Sequence, residues 1–82
     1  MGAAAMTGQR ETTRYATPSL KRTRLDWVVT AAPWGEAVGS TYECPAGWPA
    51  YTATGRYAGL WPTKQAAAEV LVKQAGYELA EP

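Results

Sequence analysis

The segment LWPTKQAAAEVLVKQAG, Leu60 to Gly76, constrains the fold of this chain more than any other. Pro62 and Thr63 precede a run from Lys64 to Ala75 that holds no helix breaker, and Gly76 closes it. A threonine hydroxyl placed there accepts from the free amides of a first helical turn, and glycine takes the left-handed backbone of a helix C-terminus. The spacing predicts a helix of about three turns. Gln65, Glu69 and Lys73 fall on one polar stripe, with Glu69 and Lys73 spaced for an i,i+4 pair, while all else but Lys64 and Gln74 is apolar. Ala66, Ala67, Ala68 and Ala75 add little volume, so the helix backbone can lie close to a sheet while Val70, Leu71 and Val72 fill the spaces between strands.

The rest of the chain supplies that sheet. Leu25, Trp27, Val29 and Ala31 alternate with Arg24, Asp26, Val28 and Thr30, the period of two of a strand with one buried face. Pro33-Trp34-Gly35-Glu36 predicts a turn, after which Val38, Ser40, Tyr42 and Cys44 alternate with Gly39, Thr41 and Glu43 in a second strand. A third strand runs from Trp48 to Ala53, and beyond Thr54-Gly55 a fourth returns from Arg56 to Trp61. The expected fold class is α+β: a three- to four-stranded antiparallel sheet covered on one face by a single C-terminal helix. Trp27, Tyr42, Tyr51, Leu60, Trp61 and Leu71 would form the main core, with Tyr77 and Leu79 folding back onto it. Met1 to Ser19 has no apolar period, so residues 1–19 are expected to form a flexible basic arm and residues 20–82 a single small domain.

Composition narrows the chemistry. A chain of 82 residues makes one domain, which buries only about 60% of its unfolded surface. Cys44 is the single cysteine and there is no histidine, so neither an internal disulfide nor a zinc site can be built, and no cofactor is expected. No apolar run approaches the roughly 20 residues that span a bilayer, which leads us to expect a soluble, cytoplasmic protein with no membrane partner. The absence of Phe, Ile, Asn and His beside heavy use of Ala, Gly, Arg and Trp points to a GC-rich coding sequence of bacterial or viral origin.

Charge is unevenly spread. Residues 1–25 hold five cations against one carboxylate, and residues 26–82 hold three against six. In a four-strand meander, consecutive turns alternate between the two ends of the sheet. The turns at Trp34 and at Arg56 would share one end, and Lys21, Arg22, Arg24, Trp48 and the helix N-terminus at Lys64 would gather at the other. That second end suits an anion or an acidic protein surface, whereas Trp34 is either an exposed anchor or a ring folded over its own sheet edge. These seven residues, Trp34, Trp48, Lys21, Arg22, Arg24, Arg56 and Lys64, are the candidate partner-binding set. Cys44 is expected in the core, and Asp26, Glu36 and Glu43 lack any sign of the desolvation that acid–base catalysis needs. No enzyme activity is expected.

From Tyr51 to Leu71 the order YTATGRYAGLWPTKQAAAEVL resembles the last hairpin and helix of the small arm-type, AP2-like DNA-binding domains that stand at the front of many tyrosine recombinases. The shared features are Tyr51, Ala53, Gly55, Gly59, Trp61, Pro62, Thr63, Lys64 and Ala66 to Ala68, over about a quarter of the chain. The resemblance implies a sheet that meets DNA through a basic outer face. Here the positions read as outward, Asp26, Val28, Thr30, Thr41, Glu43, Thr52 and Thr54, carry acid or no charge, Arg24 and Arg56 excepted. The leading expectation is therefore a small non-enzymatic protein of phage or mobile-element type that docks on a larger nucleic-acid-handling protein or ribonucleoprotein complex and inhibits it by occlusion, as anti-CRISPR proteins do. The alternative is direct DNA binding, with Arg22, Arg24, Arg56 and Lys64 on phosphates.

Overall fold

The computed structural model describes residues 13–80. In chain order these form β1 (Tyr15–Arg22), β2 (Trp27–Ala32), β3 (Glu36–Thr41), β4 (Trp48–Thr52), β5 (Tyr57–Trp61), α1 (Lys64–Gln74) and β6 (Glu78–Leu79). The six strands make one sheet in the order β5-β4-β3-β2-β1-β6. Each neighbouring pair is antiparallel except β1 with β6, which runs parallel.

The helix forms where the sequence places it. Thr63 is the N-cap, its Oγ1 accepting from the Ala66 amide at 3.0 Å. At the other end Gly76 takes φ 101°, the Gly76 amide donates to the Lys73 carbonyl at 3.0 Å and the Tyr77 amide to the Val72 carbonyl at 3.3 Å. This pattern returns the chain sharply toward the sheet. On the polar stripe, Gln65 Nε2 donates to Glu69 Oε2 at 3.1 Å, so Glu69 reaches one turn back rather than forward to Lys73.

Ala67, Ala68, Leu71 and Val72 of α1 pack on Ala16, Val29, Ala31, Val38 and Ala50 of the sheet, and the Tyr77 ring completes this core. Small residues on both layers allow close approach. The approach is close over β3: a Cβ added at Gly39 would strike the Tyr51 carbonyl oxygen and lie 2.9 Å from Leu71 Cδ2. Gly39 also has φ 153°, which side chains rarely adopt.

Four expectations require correction. The sheet has six strands rather than three or four, and it is mixed. Residues 15–19 belong to β1 instead of a flexible arm; Met1 to Thr12 lie outside the described residues. The inward positions of β1 are Ala16, Pro18 and Leu20. Alanine and proline give almost no apolar signal, so this alternation is not legible in the sequence.

The third correction concerns the parity of β3. Val29 pairs with Gly39 but Thr30 pairs with Ala37, so Val38 is an extra residue that shifts the register. Beyond this bulge Gly39 and Thr41 face the helix while Ser40 pairs with Val28 on the outer face. Thr41 is fully buried and its Oγ1 donates to the Pro49 carbonyl at 2.7 Å. Thr52, two residues along from Ala50, is likewise on the helix side, lining a cavity with Gln74 and Ala75. The fourth concerns the core: Tyr42, turned outward by the bulge, and Leu60 are exposed and Tyr51 only half-buried, so of the expected core Leu71 alone is fully enclosed, with Trp27 and Trp61 partly so. Cys44 leaves the strand and sits partly exposed in an isolated bridge with Gly47.

Candidate functional site

The antiparallel order sorts the loops onto two ends, as the meander predicts. The β1–β2 turn, the β3–β4 connection and the start of α1 share one end. A cavity of about 270 Å³ there is lined by Arg22, Arg24, Leu25, Asp26, Trp27, Tyr42, Glu43 and Trp48. Lys64 reaches into the same region from α1, its Nζ 3.6 Å from the centre of the Trp27 ring, and the Arg22 guanidinium carbon is 5.6 Å from that ring. An indole face attracts cations, so Trp27 fixes the positions of two charges that repel one another. Lys21, on the outer side of β1 opposite Val28, borders this end.

The turn between β1 and β2 is unusually well held. Thr23 Oγ1 accepts from the Leu25 amide at 3.2 Å and from the Asp26 amide at 3.0 Å, and donates to Asp26 Oδ1 at 2.7 Å. The Thr23 amide also donates to the Asp26 carbonyl at 2.8 Å. This small network fixes the backbone and occupies one oxygen of Asp26. It leaves Leu25, expected to face inward, 90% exposed between Arg24 and Asp26.

The opposite end holds Trp34 and the β4–β5 turn that carries Arg56. Trp34 is folded on the sheet edge: its Nε1 donates to the Tyr15 carbonyl at 2.8 Å and its ring lies 6.3 Å from that of Tyr77. The Arg14 guanidinium carbon stands 5.2 Å from the Trp34 ring and 4.6 Å from the Tyr77 ring. The Tyr77 hydroxyl donates to Glu36 Oε1, and this bond raises the phenol above its ordinary range. Trp34 therefore closes the β1 side of the fold, although 48% of it remains exposed. The candidate set thus divides. Arg22, Arg24, Trp48 and Lys64 come together with Lys21 at their border, while Trp34 and Arg56 stand apart at the other end.

Sequence reasoning missed a third surface. On the outer face of the sheet, away from α1, one row crosses five strands from Lys21 through Val28, Ser40 and Tyr51 to Tyr57. Tyr42 and Tyr51 lie parallel with ring centres 6.4 Å apart, and Tyr51 and Tyr57 are 5.5 Å apart. The nearby Tyr51, by charge and then by hydrogen bonding, raises the Tyr42 phenol above its ordinary range. Only the bulge in β3 turns Tyr42 outward, which is why strict alternation concealed the cluster.

Asp26 and Glu43 share the first cavity, whereas Glu36 belongs to the other end, so the three carboxylates do not converge. Among the described residues no group of three His, Cys, Asp or Glu side chains is placed to hold a metal ion, and no helix is long and apolar enough to cross a membrane. The chain matches no family model, no curated protein and no solved structure.

Proposed function

We propose that this protein is a non-enzymatic docking protein that binds a larger nucleic-acid-handling protein and occludes it, through the end of the sheet that carries Arg22, Arg24, Leu25, Trp48 and Lys64. The observation that carries the reading is the locked turn that holds Leu25 in solvent between Arg24 and Asp26, in the cavity that Arg22 also lines. Burying a leucine side chain contributes about 1.5–3 kcal/mol. A turn already fixed by Thr23 loses little conformational freedom on binding, so most of that contribution is retained as affinity. Arg22, Arg24 and Lys21 around it favour an apolar pocket with an acidic rim, and the aromatic wall of Trp27, Trp48 and Tyr42 adds the residue types that dominate interface energetics.

Direct duplex binding through the same cations is less well supported. Lys64 is engaged on Trp27, the first helical turn is already capped by Thr63, Arg56 is at the far end, and Asp26 and Glu43 line the cavity beside the arginines.

The test is recovery of partners from host lysate, with and without nuclease, using wild type, Leu25→Asp, the pair Arg22→Glu and Arg24→Glu, and Trp34→Ala. Wild type and Trp34→Ala should retain a defined protein complex after nuclease treatment, and each change at the locked turn should cut recovery at least about 10-fold. Loss of the complex on nuclease treatment, or undiminished recovery with Leu25→Asp, contradicts the proposal.

A further inference from the structure

The tyrosine cluster runs from Tyr42, which lines the cavity beside the locked turn, across the outer face of the sheet to Tyr57. α1 covers only one face of the sheet, and the other carries Tyr42 at 40% and Tyr57 at 60% exposure, with Tyr51 half-buried between them. Tyrosine is an amphipathic residue, and Tyr51 has Tyr42 parallel to it at 6.4 Å and Tyr57 tilted by 56° at 5.5 Å, so the three rings form one aromatic cluster. Around it the outward strand positions are hydroxyls and small or apolar groups: Thr17, Ser19, Val28, Thr30 and Ser40. The single charge along the row is Lys21.

Cations stand at both ends of the tyrosines. Tyr42 shares its cavity with Arg22 and Arg24, and Arg56 directly precedes Tyr57 at the other end. Against these, Glu43 adjoins Tyr42 and Asp26 is held by Thr23, leaving positive charge in excess at the Tyr42 end once Lys21 is included. Aromatic rings that stack bases between flanking cations that hold phosphates are the two components of single-strand recognition on a sheet. A duplex hides its base faces and gains nothing from exposed rings, and an apolar protein surface gains nothing from arginines at each end.

We propose that the outer sheet face binds single-stranded nucleic acid, with bases stacked on Tyr42 and Tyr57 across the Tyr51 floor and the backbone held by Lys21 and Arg24 at one end and Arg56 at the other. Stacking tolerates any base, so the site is not sequence-specific. The hydroxyls of Ser40 and Thr30 stand where base edges would pass, open to either DNA or RNA.

Fluorescence anisotropy with labelled oligothymidylate, oligouridylate and a duplex of equal length tests this. Wild type should bind both single strands more tightly than the duplex, with affinity falling as salt rises. Tyr42→Ala and Tyr57→Ala should each weaken single-strand binding about 10-fold, Tyr57→Phe should keep it, and Arg56→Glu should weaken it and flatten the salt dependence. Trp34→Ala should bind as wild type. Circular dichroism of each variant confirms that it is folded. Absence of binding by wild type at low salt, preference for the duplex, or unchanged affinity in the folded tyrosine variants would overturn the assignment. Because these probes contain no protein partner, their failure leaves the docking proposal standing, and the reverse also holds.

Discussion

Replacing Gly39 with alanine tests the packing of the two layers over β3. A methyl group there would strike the Tyr51 carbonyl oxygen and lie 2.9 and 3.1 Å from the two Leu71 methyls. Leu71 can change rotamer, but the Tyr51 carbonyl belongs to the neighbouring strand and cannot yield without separating β3 from β4. Overpacking of this kind costs about 1–3 kcal/mol. Forcing a residue with a side chain into positive φ costs roughly a further 1–2 kcal/mol. The sum is about 3 kcal/mol, set against a total stability of about 4–12 kcal/mol for a chain of this length. Thermal unfolding followed by circular dichroism should show the midpoint lowered by about 12–24 °C. Gly55→Ala separates the two contributions, because Gly55 has φ 89° with nothing within 4 Å of an added Cβ. It should show the backbone cost alone, about 4–16 °C. Equal shifts for the two variants would refute close seating of α1 on β3.

Two further changes probe the polar groups of the fold. Thr41→Val keeps the shape but leaves the Pro49 carbonyl without its donor, and should cost about 1–3 kcal/mol in chemical denaturation. At the other end, the Tyr77 phenol in the folded protein titrates above its ordinary value of 10.0 because it donates to Glu36. Its contribution to stability is therefore complete below about pH 10 and is lost as pH rises through the folded value. Tyr77→Phe should lower the unfolding midpoint at neutral pH and reduce its alkaline decline; an unchanged alkaline decline would show that Glu36 holds no proton of Tyr77 in the fold.

Legibility in the sequence followed the strength of each local signal. The helix was read to within a residue because cap, closing glycine and absence of breakers agree on Lys64 to Gln74. The division of loops between two ends was legible too, since antiparallel hairpins fix it once the turns at Trp34 and Gly55 are recognised. β1 was not, because Ala16 and Pro18 occupy its inner face and look like linker residues. β6 is two residues long and exists only through pairing with Tyr15 and Ala16, a contact between the two ends of the sequence. The extra residue at Val38 inverts the faces of everything after it in β3, so Thr41 entered the core and Tyr42 left it. A bulge depends on how two strands meet, and no single-strand pattern announces it. The exposure of Leu25 depends likewise on the Thr23 network, which a strand period extended one residue too far obscured.

Nitration of native tyrosines with tetranitromethane, mapped by peptide mass spectrometry, measures most directly whether the sheet has one sealed and one bare face. Tyr57 and Tyr42 should be modified rapidly in the folded protein, and Tyr77, 2% exposed beneath α1, only on unfolding. Modification of Tyr77 as fast as Tyr57, or protection of Tyr42 and Tyr57 in the monomer, would contradict the account.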